Sequence, residues 1–221
     1  RVRRAERFRE RRRVGAQDGR TEQEVPARRG DRCHRHQAVE QDLTAPGPGP
    51  GGPTRALLGH GPRELIAIER DARCLGALAE IAAAYPGRLT VIEGDALAVD
   101  SARLGSAPRR IVANLPYNIA TPLIIRWLQQ GAAFASLTVM VQKEVADRLI
   151  ATPRTKDYGR LSVLAQFLAK PRRLFDLPPR AFVPPPKVTS TVIELLPLPE
   201  PAFPARLADL ERVTQAGFGQ R

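Results

Sequence analysis

A chain of 221 residues with 43% hydrophobic content has room for one sizeable core and a small appended domain. No apolar run is long enough to span a bilayer and the start is charged rather than signal-like. Cys33 and Cys74 stand too far apart for a disulfide framework or a zinc site, so a cytoplasmic protein is the default expectation. The net charge of +12 favours a polyanionic partner, with nucleic acid ahead of a membrane because no basic amphipathic helix is evident.

Residues 1–45 are rich in Arg, Glu, Gln and Asp and follow neither a 3.6- nor a 2-residue period, which predicts a disordered or loosely helical segment. Its opening run, RVRRAERFRERRRV, reads as a solvated tail before it reads as a binding site. The stretch APGPGPGGPT, residues 45–54, follows. TRALLGHG then predicts a short helix with a glycine stop, ELIAIERD a strand with an acidic end, and ARCLGALAEIAAAY a helix closed by Pro86-Gly87. LTVIEGDAL and RIVANLPY predict further strands, separated from SLTVMVQ by the helical ATPLIIRWLQQG. KEVADRLIA and TKDYGRLSVLAQFLA predict helices, and STVIELLPL an added strand, possibly antiparallel. Strands alternating with helices predict βαβ units, hence an α/β fold with a mostly parallel sheet and helices on both faces. A main domain over 46–198 is expected, with 199–221 opening as a helix and reading as the start of a further domain.

In such a sheet, ligands sit at the carboxyl ends of the strands. Three ends carry polar groups in turn: Glu69, Asp95 and Asn114. Gly47, Gly49 and Gly51 precede the first, and either form a linker or let backbone approach a ligand closely. Glu69 stands about where an acidic residue accepts hydrogen bonds from ribose hydroxyls, so an adenosine-containing cofactor is the sharp reading. Asp95 taken alone is equally suited to capping the next helix. Trp127 lies within an apolar helix and is expected in the core. His34, His36 and His60 form no metal-binding constellation. The charges of QKEVADR either orient nearby loops or form a solvated helix face.

The motifs IAIERD, VIEGDAL, VANLPYNIATPL, VQKEVADRLIA, YGRLSVLAQ and FVPPPKVTSTVI, in this order, resemble the ribosomal RNA adenine dimethyltransferases, nearest in form to those acting on small-subunit (16S) rRNA. The resemblance covers roughly residues 47–221. It implies a Rossmann-like methyltransferase fold with S-adenosyl-L-methionine (SAM) as donor and the N6 of adenine in 16S rRNA or an immature small subunit as acceptor. By carry-over, Gly47 and Gly49 lie beside the methionine part of SAM, Glu69 holds its ribose, Asp95 and Ala96 its adenine, and Asn114 borders cofactor and substrate. The Asn114 side chain and the Leu115 carbonyl would accept from the two N–H bonds of the target amine. Pro116 would bias Leu115 toward an extended conformation, and Tyr117 and Phe182 would stack on the extruded base. Arg180 and Lys187, beside the prolines, would meet phosphates without reading bases.

Upstream of Gly47 the resemblance stops. The family carries an acidic strand end before the glycines, where this sequence has Ala45-Pro46, and Pro53 replaces an apolar residue at the start of the next helix. HQAVEQDLTAP is a poor candidate for a buried strand. Residues 1–45 are accordingly expected to be aberrant, from a shifted frame or a divergent copy, and 199–221 the truncated start of a helical RNA-binding domain. Two other readings therefore stand beside 16S dimethylation: an adenine methyltransferase of 23S rRNA, and a catalytically inactive RNA-binding or assembly factor. A monomer is the simplest expectation.

Overall fold

Leu65–Glu69 is buried at every position, as a strand needs to be when both faces of its sheet are covered. It is β2 in a computed structural model that describes residues 42–116 and 118–219. The stretch up to residue 41, including the Arg-rich run, Cys33, His34 and His36, lies outside the described residues, as do Tyr117 and the last two positions. The other strands are β1 (Leu43–Pro46), β3 (Leu89–Glu93), β4 (Arg109–Asn114), β5 (Phe134–Gln142), β6 (Ala169–Leu177) and β7 (Ser190–Pro197). They form one sheet in the order β3-β2-β1-β4-β5-β7-β6. The first five strands are parallel, and β7 enters antiparallel between β5 and β6.

Two apolar clusters hold the helices to this sheet. The smaller joins Leu58 of α1 (Gly52–Gly59) and Leu78 and Ile81 of α2 (Ala72–Ala84) to β1, β2 and β3. The larger joins α3 (Ala120–Gln129), α4 (Lys143–Ile150) and α5 (Arg160–Leu168) to β4, β5 and β7, with Trp127 buried inside it as expected. The last helix, α6 (Leu207–Phe218), packs on α5, and the Phe218 ring meets Tyr158 edge-on at 6.1 Å.

Three features correct the reading from sequence. The sheet begins at Leu43, inside the stretch assigned to the appended segment, and Ala45 and Pro46 are buried strand residues. The segment HQAVEQDLTAP looked too polar for this because β1 is only four residues long; pairing with β2 on one side and β4 on the other compensates. Pro53, which departs from the family pattern, falls in the first turn of α1, where a missing amide costs nothing. AKPRRLFDL, which carries no strand signal in its composition, is β6: an edge strand that tolerates Pro171 and exposes Lys170 and Arg172.

The entry to β1 is tied down by Asp42. Its buried carboxylate accepts from Arg63 Nε at 2.8 Å and from the Ser106 amide, and its carbonyl accepts from Arg110 N at 3.1 Å. The Arg63 hydrogen bond, helped by the Ser106 amide and nearby guanidinium charge, outweighs burial and holds this carboxyl below the usual range. We expect Asp42→Asn to cost about 1–2 kcal/mol, the low end for bonds to a charged group because Arg63 is half-exposed and regains water. A depressed folded pKa adds stability at neutral pH that disappears as pH falls through it. Urea unfolding should therefore separate the two proteins at pH 7 and bring them together in acid.

Candidate active site

The strand order reverses between β1 and β4, which opens a crevice beyond their carboxyl ends. The glycine run lines it as a tight loop: Gly47, Gly49 and Gly51 all have left-handed backbone, with φ of +65°, +59° and +94°. Gly47 N donates to Ile68 O at 2.9 Å, fastening the loop to β2.

Glu69, at the end of β2, is buried and clasps this loop. Its Oε2 accepts from Gly49 N at 2.9 Å, while its Oε1 accepts from Arg70 N and Asp71 N, both at 2.8 Å. A carboxylate has about four acceptor sites; three are filled by amides, leaving room for one further donor such as a hydroxyl. Asp95 caps its own turn, with Oδ1 accepting from Leu97 N at 2.8 Å, and its Oδ2 lies 3.4 Å from the exposed Arg70 guanidinium. Ala96 packs against the large core cluster. Asp95 thus caps a turn rather than the next helical segment, Ser101–Arg103, whose cap is Asp100, and it also lines the crevice.

Two cavities occupy the crevice. The first, about 240 Å³, is lined by Gly47, Glu69, Asp95, Ala96, Leu115 and Pro116, among others. The second, about 380 Å³, is lined by Gly47, Asn114, Leu115, Pro116, Met140 and Phe182, with neighbouring prolines and Ser190. Gly47, Leu115 and Pro116 line both, so the two spaces meet along this short stretch of chain. A Cβ at Gly47 would point toward this meeting place, 3.8 Å from Asn114 O and 3.9 Å from Pro116 Cδ.

The Asn114–Pro116 stretch is fixed from both sides. Leu115 N donates to Met140 O at 3.2 Å, and the Pro116 carbonyl accepts from Ile119 N and Ala120 N, both at 3.1 Å, at the start of α3. The Leu115 side chain is 2% exposed and anchors the turn in the core, while Asn114 is exposed. Asn114 borders the second cavity and is not among the residues of the first, which differs from the expected place on both. Gly49 borders neither, because its amide is turned to Glu69. Phe182 is half-buried in the wall of the second cavity, and Arg180 and Lys187 are exposed on either side of it. The expected stacking of Tyr117 falls outside the described residues.

Met140 and Ser190 were missed by sequence reasoning. Met140 stands opposite Asn114 in the β4–β5 register, a pairing that no local motif encodes. A larger cavity of about 830 Å³, between α3, α5 and α6, holds none of the expected site residues and lies away from these strand ends. Among the described residues no three His, Cys, Asp or Glu side chains gather as a metal site.

The family model described as ribosomal RNA adenine dimethylase matches residues 40–221. The chain belongs to the ribosomal RNA adenine dimethylase family. The ribosomal RNA small subunit methyltransferase A of Rhodospirillum rubrum is 66% identical over 175 residues, covering 79% of this chain and 61% of that protein. The protein of the same name from Azorhizobium caulinodans is 60% identical over 179 residues, covering 79% and 61%. The chain thus spans about 61% of the length of these dimethylase relatives. Among solved structures, a dimethyladenosine transferase from Plasmodium falciparum superposes with a TM-score of 0.71 at 26% identity, over 81% of this chain and 63% of that one. The 23S rRNA methyltransferase ErmE gives 0.62 at 29% identity, over 79% and 68%. The seven-stranded sheet with its single reversed strand, β7, is therefore the Rossmann-like methyltransferase fold of this dimethylase family.

Proposed function

We propose that this chain carries the catalytic site of a SAM-dependent enzyme that dimethylates the N6 amino group of adenines in small-subunit (16S) rRNA. The observation that carries the reading is the pair of cavities meeting at Gly47, Leu115 and Pro116, in a chain of the ribosomal RNA adenine dimethylase family. One cavity suits the donor and the other the acceptor base. Relatives at 54–66% identity all bear the small-subunit name, which favours 16S over 23S rRNA. The intact left-handed glycine loop favours an enzyme over an inactive scaffold. An rRNA substrate points to the cytoplasm, with a monomer as the simplest form.

The first cavity fits SAM. The remaining acceptor site of Glu69 suits a ribose hydroxyl, Asp95 and the apolar Ala96 suit an adenine, and Gly47 leaves space for the methionine part. Gly49 would then act at one remove, tying the loop to Glu69. When bound, SAM supplies an activated methyl on a sulfonium. The chain's own residues handle the acceptor. An adenine N6 lone pair is delocalised into the ring and attacks poorly. The Asn114 side-chain oxygen and Leu115 carbonyl would accept from its two N–H bonds, orienting the amine and favouring a more pyramidal nitrogen. Phe182 and Tyr117 would hold the extruded ring, with base stacking worth roughly 1–3 kcal/mol. SAM, held by Glu69, Asp95, Ala96 and Gly47, would supply the methyl group, and the amine held by Asn114 and Leu115 would give up its proton to water. No strong base is required, and positioning and desolvation carry most of the acceleration. The monomethyl product keeps one N–H for a second round.

Outside the crevice, Arg180 and Lys187 would meet RNA phosphates, 199–221 would begin a helical RNA-binding domain, and the Arg-rich start would be an appendage. Removing both cations, Arg180→Ala with Lys187→Ala, should weaken RNA binding similarly for all sequences and lower the salt-dependence slope by about 2. Filter binding across a salt series checks this.

The whole reading is tested by calorimetric titration with SAM, followed by methyl transfer to small subunits lacking the modification. Binding and transfer support it; binding without transfer favours the assembly factor, and no binding sinks the cofactor assignments.

A further inference from the structure

We infer that Asp147, acting through Arg173, sets the position of Phe182 over the second cavity; this rests on reading that cavity as the acceptor site. Asp147 would be a positioning residue, one step removed from the base.

The QKEVADR charges divide in two. Glu144 and Arg148 pair with each other and are 66% and 54% exposed, a solvated helix face. Lys143 and Asp147 turn the other way. Lys143 Nζ donates to Asp147 Oδ2 at 2.6 Å, and the Arg173 guanidinium donates to Asp147 Oδ1. Arg173 Nη1 continues to Asp176, at 3.1 and 3.2 Å from its two oxygens. Asp176 Oδ1 also accepts from the buried Thr191 hydroxyl at 2.7 Å, and Lys143 N donates to Thr189 O at 3.0 Å. Burial pushes the Asp147 carboxyl up, but the bonds from Lys143 and Arg173 outweigh it and keep it below the usual range. Asp147 therefore stays charged at neutral pH.

Its placement gives it leverage. Asp176 and Thr191 face each other across the β6–β7 ladder, and the chain between them is the loop bearing Phe182. Residues 178–189 of that loop include Pro178, Pro179, Pro184, Pro185 and Pro186. Each fixes φ and removes a donor. Ala181 N to Pro178 O at 2.9 Å and Phe182 N to Pro179 O at 3.1 Å close the turn before the ring. An arc this stiff follows its two stems, and the cluster grips both stems from α4. A tilt there moves Phe182 relative to Asn114 and Met140 on the opposite wall.

The test uses Phe182→Trp as a reporter, since the native Trp127 is 1% exposed and contributes a constant buried signal. Asp147→Asn and, separately, Arg173→Gln should red-shift the emission of the introduced indole and raise its quenching by acrylamide. SAM affinity should stay near that of the parent, and melting should fall only by the few degrees that a lost, partly exposed ion pair costs. In the native background Asp147→Asn should lower kcat for small subunits about 10-fold, a cost typical of a slightly misplaced reactant. Combined with Phe182→Ala, the same change should cost less than about 2-fold, because the residue it acts through is gone. Asp147→Glu should recover part of the loss. Unchanged indole quenching in both variants overturns the inference, as does an equal loss of turnover in the two backgrounds. A parent chain that transfers no methyl group defeats the functional reading, while the fluorescence still decides whether the cluster sets the loop.

Discussion

Asn114→Ala is expected to lower methyl transfer about 10²–10³-fold while SAM affinity stays within about 2-fold. The expectation follows from where the side chain sits. Asn114 ends β4, is exposed, and borders the cavity with Met140 and Phe182 rather than the one with Glu69 and Asp95. On the proposed reading, its loss removes the acceptor for the target amine and leaves the residues around the first cavity, Glu69 and Asp95 among them, in place. The local backbone should survive, because the following turn is held by Leu115 N to Met140 O and by the Pro116 carbonyl on α3. An acceptor fixed before the reaction is worth about 3–4 kcal/mol when charge develops on its partner, which is the source of the quoted factor. Single-turnover methylation beside a calorimetric SAM titration measures both halves. Near-native turnover would take Asn114 out of the mechanism, and a large loss of SAM affinity would move it to the other cavity.

The division of the crevice into two cavities was not legible in the sequence, although the polar residues Glu69, Asp95 and Asn114 in its walls were. Glu69, Asp95 and Asn114 could be found because polar residues at the ends of apolar strands stand out, and β2, β4 and β5 have apolar runs long enough to declare themselves. Which cavity each residue serves depends on register: Asn114 pairs with Met140 across the β4–β5 ladder, and that pairing is decided by the whole sheet. β1 was obscured because four residues with Thr44 and Pro46 have little signal of their own, and two flanking ladders supply the stability that the segment lacks. β6 was hidden for the opposite reason. An edge strand needs only one partner and gains from charge, so Lys170, Pro171, Arg172 and Arg173 look like a loop while forming a ladder with β7. The pairing of Arg173 with Asp147 crosses 26 residues of chain and had no local pattern to announce it.

The glycine loop offers the sharpest test of the fold itself, at Gly51 rather than at Gly47 or Gly49. A Cβ at Gly49 would meet open space, whereas one at Gly51 would lie 2.2 Å from Ile81 Cδ1 and 3.3 Å from Leu78 Cδ2. Both partners are 0% exposed in the cluster beneath α1 and α2, so the methyl that must give way has little room. The φ of +94° adds a second penalty, since left-handed backbone costs an L-residue about 1–2 kcal/mol. With overpacking at about 1–3 kcal/mol, Gly51→Ala should destabilise the chain by about 3 kcal/mol. It should also weaken SAM binding, because Gly51 N reaches back to Pro48 O and a shift there draws Gly49 away from Glu69. The two penalties separate with Ile81→Val, which deletes only the clashing Cδ1. Alone it should cost about 1 kcal/mol. On top of Gly51→Ala it should cost nothing or restore stability, leaving the backbone penalty as the remaining deficit. Urea unfolding of the four proteins reads the cycle directly; strict additivity would mean that the Ile81 contact does not account for the need for glycine at position 51.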